Sequence, residues 1–372
     1  MKFSIHQKDL QRLLNIAGDA VPKKTTLPIL SNFLIDARAN TVHISATDLE
    51  ISISTSAEAT VDTPGQVAVN AKRLQEVVRE LAKEQVEIHV EAGKFILKCA
   101  RSQFDLFPMP VDDFPTLAQE RASFSTTLSP KTFRGLVDLS CYAVSTDETR
   151  PALRGVLVQV VASEIRFVAT DSHRLSKAFA HGKFAVDKSD IREAIIPPKA
   201  LVPVAAWAME SDADVEMELS GSAATFKVGA TTLTSRLLQG PFPKYEQVIP
   251  KDNHKALVIG REALLASIRR VAKLSDSVSH QIRLSVRKNR LHLSVNTADI
   301  GAAKDDLEAT YAEDDLEIGY NAVYLQDILK SLETDKVQFN LNSSTTAGVV
   351  TPMESKADAQ AMCLIMPLRL QD

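Results

Sequence analysis

Apolar and polar positions along the chain switch repeatedly between two rhythms. Phe3-Ser4-Ile5-His6 alternates, as a strand with one buried face does. The stretch that follows, Lys8 to Ile16, places Leu10, Leu13 and Leu14 at helical spacing. Gln66 to Asn70 alternates again and leads into a helical pattern from Ala71 through Leu81, with Asn70 as its N-cap. Phe124 to Leu128 precedes a helix opened by Ser129-Pro130, serine as cap and proline at the first helical position. The same order recurs at Ala194–Pro197 before Pro198–Met209, at Ala256–Gly260 before Arg261–Ile268, and at Leu316–Tyr320 before Asn321–Leu329. Helices are therefore expected over 8–16, 71–84, 130–139, 197–210, 261–273 and 321–333. Alternating segments after the helices, such as Val86–Val90, Val215–Leu219 and Val337–Leu341, read as half-buried antiparallel strands.

The helix starts near residues 8, 71, 130, 198, 261 and 321 are evenly spaced, about 60 residues apart. One such unit has a single helix and little sheet, so its core is marginal by itself. Two units packed together share a workable core. The expected fold class is α+β, with three similar domains, each made of two strand–helix–strands units: residues 1–124, 125–253 and 254–372. The joints fall in the short polar stretches 119–123 and 251–255.

Composition is that of an ordinary globular chain, 45% apolar and 24% charged over 372 residues. The formal net charge of −4 argues against a protein that grips nucleic acid over its whole surface. The charge is unevenly spread. The expected helices are net positive, through Lys72, Arg73, Arg79, Lys131, Arg134, Lys199, Arg269, Arg270 and Lys273, and the remainder is net negative. Helices favour Lys and Arg in their last turns in any case. A helical surface facing phosphates inside an otherwise acidic molecule fits the same distribution. Cys99, Cys141 and Cys363 are odd in number and far apart, which fits a reducing cytoplasm and disfavours a disulfide framework or a cysteine-rich zinc site. No apolar run approaches the length of a membrane span, and no apolar signal segment opens the chain, so no membrane partner is expected.

Catalytic patterns are sparse. Gly93-Lys94 and Gly182-Lys183 lack the upstream glycine and following Ser/Thr of a phosphate-binding P-loop. Neither a dinucleotide-binding glycine fingerprint nor a His-Glu-x-x-His metal motif occurs, and the eight histidines are scattered. Asp112-Asp113 sits among prolines and reads as a turn, not as an acid/base dyad. Asp171-Ser172-His173-Arg174 holds Ser, His and Asp in one run, but a nucleophilic relay needs a geometry that consecutive residues rarely provide. No catalytic residue, metal or cofactor is expected.

Several runs together resemble the bacterial sliding clamp family, the beta subunits of DNA polymerase III. They are Thr26-Leu27-Pro28-Ile29-Leu30-Ser31-Asn32, Ala46-Thr47-Asp48-Leu49-Glu50, Val168-Ala169-Thr170-Asp171-Ser172-His173-Arg174-Leu175, Gly240-Pro241-Phe242-Pro243-Lys244-Tyr245 with Val248-Ile249-Pro250, and Ile365-Met366-Pro367-Leu368-Arg369-Leu370. Their order and spacing match over nearly the whole chain. The resemblance implies a head-to-tail homodimeric ring with helices lining the hole and sheets outside. Such a ring surrounds duplex DNA without regard to sequence and tethers the replicative polymerase. It implies a separate clamp loader, and repair and translesion polymerases that attach through short peptides carrying a glutamine and large apolar residues.

By that resemblance the peptide pocket uses Leu153, Thr170, His173, Arg174, Leu175, Pro243, Val248, Asn321, Tyr324, Leu364, Met366, Pro367, Leu368 and Arg369. Lys24, Lys72, Arg150 and Lys199 approach DNA. Arg73, Phe104, Leu106 and Leu274 lie at the subunit interface. An apolar cleft with a few orienting polar groups suits a peptide, and a methionine there adapts to varied ligands. The tail segment Cys363–Met366 also reads as a last core strand. Departures from the family pattern are Ser172 where glycine is common, Lys244 before the tyrosine, Gln247 in the pocket wall, Pro151-Ala152 in a loop that often carries aromatics, and the added Gln371-Asp372.

Overall fold

The computed structural model describes residues 1–115, 120–187, 190–354 and 358–370. Gln119, in the first expected joint, and Gln371-Asp372 lie outside them. Among the described residues there are six α-helices: α1 (Gln7–Gly18), α2 (Ala71–Arg79), α3 (Pro130–Ser140), α4 (Pro198–Ser211), α5 (Arg261–Val271) and α6 (Ala322–Ser331). Each follows a strand, at Lys2–His6, Gly65–Asn70, Phe124–Leu128, Arg192–Ile196, Lys255–Gly260 and Leu316–Asn321. Local chemistry sets several of these helix starts. Asn70 Oδ1 accepts from the Arg73 N–H, and Asn321 Oδ1 accepts from Val323 and Tyr324. His6 Nδ1 does the same for Lys8.

The chain divides into two compact units, residues 1–130 with 203–237, and residues 131–202 with 238–372. The first contains a five-stranded sheet built on strand Lys2–His6 and an eight-stranded sheet. In α1, Leu10, Leu13, Leu14 and Ala17 are buried at helical spacing while Lys8, Asp9 and Arg12 stay in solvent. The helix packs on strands Thr41–Thr47 and Ile51–Glu58 and against α2. At Gly18 a Cβ would come within 2.5 Å of the Gln75 side chain, whose amide donates to the Leu14 carbonyl. A side chain there would displace the Gln75 amide from the Leu14 carbonyl.

The second unit has an eight-stranded sheet and a four-stranded one. Each eight-stranded sheet takes strands from both sides of an expected domain joint. In the first unit Leu233 pairs with Ile53, and in the second Leu175 pairs with Leu364. The core of the second unit includes Phe133 and Phe167, whose rings meet edge-to-face at 6.0 Å.

Two helices differ from expectation. The second ends at Arg79 and not near residue 84. Tertiary partners claim the following backbone: the Glu84 carbonyl accepts from Gln7, and the Ala82 carbonyl from the Cys99 thiol. The fifth tightens into a 3-10 turn over Ala272–Leu274. Asp112-Asp113 lies in a turn, as expected. The three cysteines are free. Among the described residues no helix is long and apolar enough to cross a membrane, and no group of metal-ligating side chains is found.

Candidate functional site

A candidate site lies in the second unit, where strand Arg174–His181 pairs with strand Gln360–Ile365. Its floor is a cluster of buried apolar side chains that includes Leu157, Val168, Leu175, Tyr245 and Leu364. Phe242 and Ile249 pack against it from the 238–250 segment, and Ala152 from the 3-10 turn Pro151–Arg154. Tyr245 is fixed by its hydroxyl, which donates to Gln159 Oε1 at 2.8 Å. Met366 and Val248 stand above this floor as exposed apolar side chains, 41% and 56% accessible. Scattered exposed apolar residues are unremarkable, but two beside an apolar floor form a contact surface.

The polar wall is the turn Thr170–Arg174. Thr170 Oγ1 donates to the Arg174 carbonyl at 2.7 Å, and Asp171 Oδ1 accepts from the His173 and Arg174 N–H groups, both at 2.9 Å. Ser172 sits at φ 78°, in the left-handed region that glycine fills without cost. Arg174 is 9% exposed and fully engaged. Its guanidinium donates to Asp171 (3.0 Å), Asp327 (2.7 Å) and the Tyr142 carbonyl (2.8 Å), and lies over the Tyr324 ring at 4.5 Å. A buried charge needs such partners, and the planar fork of arginine reaches all of them at once. The His173 ring stacks on Tyr324, centroids 6.2 Å apart. Desolvation, and after it the Asp171 carboxylate, push the Tyr324 hydroxyl above its ordinary range, so it stays a neutral donor.

The tail closes the cleft. The Met366 N–H donates to the His173 carbonyl, and the Leu368 N–H to the Gly319 carbonyl, both at 2.8 Å. The Arg369 carbonyl accepts from Gln281. The tail therefore has both characters read from its sequence, a core strand to Ile365 and a part-exposed segment that leaves it from Met366. Pro243 is exposed beside the buried Tyr245, and Leu153 is buried in its 3-10 turn. Asn321 spends its polar atoms on the α6 cap and the Ser279 carbonyl. A groove of about 360 Å³ runs beside the turn, lined by Asp147, Arg150, His173, Arg174 and Tyr324 among others.

Arg150, expected from the resemblance to approach DNA, sits beside this polar turn. It lines this groove, donates to Ser172 Oγ at 3.0 Å and pairs with Asp147. Tyr142, Asp171 and Asp327, which hold Arg174, were missed: Tyr142 and Asp327 lie far from it in sequence, and the brace from Asp171, three residues away, shows only in the folded turn. Lys24 lies in an exposed loop and Lys72 on the exposed face of α2, while Lys199 is half-buried near the start of α4. Arg73 is exposed beside Glu76. Phe104 and Leu106 are half-buried on the edge strand Ser102–Leu106, and Leu274 is half-buried at the end of its 3-10 turn.

Repetition of one strand–helix–sheet plan, with an apolar surface where two strands pair within one sheet, defines a binding scaffold of the clamp architecture. Models of the DNA polymerase III beta subunit match in chain order: its N-terminal domain over residues 1–118, its central domain over 127–244 and its C-terminal domain over 246–369. The beta sliding clamp of Caulobacter vibrioides is 31% identical over 378 residues, and that of Pseudomonas aeruginosa 30% over 377, each covering 100% of both chains. A sliding clamp structure from Bartonella birtlesii, bound to griselimycin, superposes with a TM-score of 0.94 at 31% identity, again over 100% of both chains. This chain belongs to the bacterial beta sliding clamp family, whose members are non-catalytic processivity factors of DNA polymerase III.

Proposed function

We propose that this chain acts by enclosure: two copies join head-to-tail into a ring around duplex DNA in the cytoplasm. A ring need not bind tightly to stay on, and it raises the local concentration of any polymerase tethered to it. Residues 1–124, 125–253 and 254–372 form its three domains, so two chains supply six. Phe104 and Leu106 of one copy meet Leu274 of the other, with Arg73 beside them. Head-to-tail contacts close only when the rotation completes a circle, and a sixfold repetition of one plan suits that closure. A separate loader opens the ring. Lys24, Lys72, Arg150 and Lys199 attract phosphates without reading sequence.

The cleft takes a short peptide from the replicative polymerase, the loader, and repair or translesion polymerases. Large apolar side chains enter over Leu175 and Leu364, flanked by Met366 and Val248, and the wall of His173, Arg174 and Tyr324 orients the peptide. The supporting observation is the apolar floor beside a fully braced polar turn. Light scattering should give a particle near twice 40.7 kDa. Protein loaded on nicked circular duplex should stay bound and run off when the circle is cut. A stable monomer that dissociates equally from circles and linear DNA would refute the reading.

A further inference from the structure

We infer that Phe107 of one copy and Ile300 of the other form an apolar latch where the ring closes, distinct from the contact of Phe104 and Leu106 with Leu274. The inference rests on the ring reading and deepens it, because it names side chains that decide how long two copies stay joined. Phe107 is 81% accessible and Ile300 52%. Each adjoins an open sheet edge. Phe107 follows strand Ser102–Leu106, at one end of the five-stranded sheet, and Ile300 precedes strand Gly301–Glu308, at one end of the four-stranded sheet. An open edge is a template for pairing with another chain. Leu274 borders this edge: a Cβ on Gly301 would lie 3.8 Å from its Cδ1.

The register comes from the chain's own repetition. Strand Ile51–Glu58, the third after α1, pairs with Thr231–Arg236, the third after α4. Strand Arg174–His181, the third after α3, pairs with Gln360–Ile365, the third after α6. Gly301–Glu308, the third after α5, and Ser102–Leu106, the third after α2, are left at sheet edges. A head-to-tail copy supplies the partner of each. The hairpins fix the positions: Glu308 pairs with Arg290 as Glu58 pairs with Thr41, and Ser102 pairs with Cys99 as Thr231 pairs with Val228. In the first unit Thr55 faces Thr231, and just past that strand pair the Arg236 N–H donates to the Glu50 carbonyl at 2.8 Å. In the second unit the Met366 N–H donates to the His173 carbonyl at 2.8 Å. Carried over, the same register sets the Phe107 N–H against the Ile300 carbonyl of the other copy. It also sets Arg101 opposite Asp306, an exposed cation facing an exposed carboxylate.

This one step differs in chemistry from crossing to crossing. It holds Arg236 and Glu50 in the first unit, Met366 and His173 beside the cleft in the second, and apolar side chains on both strands at the closure. Phe104 and Leu106 pair with the buried Leu97 and Phe95, so Phe107, next in the alternation, lies on the opposite sheet face. Two apolar side chains that are exposed in a single copy leave water together when the copies meet, which favours closure. A second copy is the fitting occupant because it brings both the complementary edge and the complementary apolar side chain.

The test is the dimer dissociation constant of the full-length protein, by sedimentation velocity, for Phe107→Asp, Ile300→Lys and the two combined in one chain. Each single variant should weaken the dimer about tenfold or more. The milder Phe107→Ser should weaken it in the same direction. The combined variant should recover most of the loss, since the two introduced charges attract only if they meet. Affinity for a clamp-binding peptide should be unchanged throughout, which shows that the chains are folded. Single variants with the wild-type constant overturn the inference, and so does a combined variant whose loss is the product of the two single losses. A Phe107→Asp dimer of normal strength that binds the peptide more weakly also overturns it and assigns Phe107 to a partner protein. Wild-type protein that sediments as a monomer overturns the ring reading itself, and this inference with it.

Discussion

The turns Thr47–Ile51, in the first unit, and Thr170–Arg174, in the second, are nearly the same object. In one, Thr47 Oγ1 donates to the Ile51 carbonyl at 2.8 Å; in the other, Thr170 Oγ1 donates to the Arg174 carbonyl at 2.7 Å. Asp48 Oδ1 accepts from Glu50 and Ile51 as Asp171 Oδ1 accepts from His173 and Arg174. Leu49 and Ser172 share the left-handed backbone, φ 75° and 78°. The side chains part company. Ile51 enters the core, whereas Arg174 at the same step is braced by Asp171, Asp327 and Tyr142, and His173 stacks on Tyr324. Repetition supplies the scaffold, and a few substitutions on one copy supply the chemistry. A binding site has been added to a turn whose shape did not have to change.

That contrast can be broken most sharply at the aspartates. Asp171→Ala removes the acceptor of two backbone N–H groups and one partner of a buried guanidinium, and should cost about 3 kcal/mol. Asp48→Ala removes the two backbone bonds but leaves the Arg174 guanidinium untouched, and should cost less. Shifts of the denaturant midpoint measure both, and equal shifts would show that Arg174 draws little from Asp171. Arg174→Lys comes next. A lysine keeps the charge but cannot reach Asp171, Asp327 and the Tyr142 carbonyl together, so about 2 kcal/mol of stability should go. Peptide affinity should fall with it, about tenfold by calorimetry for each ~1.4 kcal/mol lost from the wall; unchanged affinity would remove Arg174 from the site. Ser172→Val and Leu49→Val then test the shared backbone. A β-branched residue in the left-handed region costs about 1–2 kcal/mol, and the two costs should agree within the energy of the Arg150–Ser172 bond.

The repeated plan was legible because strand and helix rhythms are local: Leu10, Leu13 and Leu14 declare their face without outside help. The stop of α2 at Arg79 was not, since no glycine or proline marks it. The Glu84 and Ala82 carbonyls leave the helix for Gln7 and Cys99, partners that only the folded chain brings near. The pairing of Leu233 with Ile53 was hidden for the same reason. An edge strand does not record in its own sequence which neighbour it will take, so sheets continuous across the expected joints could not be read. Family motifs, and not physics alone, are what named Arg174 and Met366 for a pocket; the fold brings their segments together through the bond from the Met366 N–H to the His173 carbonyl. The resemblance placed Arg150 toward DNA, and its hydrogen bond to Ser172, 22 positions away, shows only in the fold.

A third turn of the same type gives the smallest and most local test. Asp276 accepts from the Val278 and Ser279 N–H groups in the pattern of Asp48 and Asp171, but it lies in an exposed loop with no guanidinium of its own. The Ser279 side chain and the two backbone donors hold its carboxyl down to about 2, below the ordinary aspartate value. Because the folded form binds the proton less readily than the unfolded chain, the turn is fully favoured above the unfolded pKa, about 4, and its contribution fades as pH falls through about 2. Exchange protection of the Val278 and Ser279 amides should therefore persist through pH 4 and be lost near the lower value. Asp276→Asn keeps an acceptor oxygen without the titration, so its protection should be flat over the same range. Loss of protection at the ordinary aspartate value would mean that the exposed copy of the turn is not held by its carboxylate. The stability of the motif at Thr47 and Thr170 would then come from burial, and not from the turn's own hydrogen bonds.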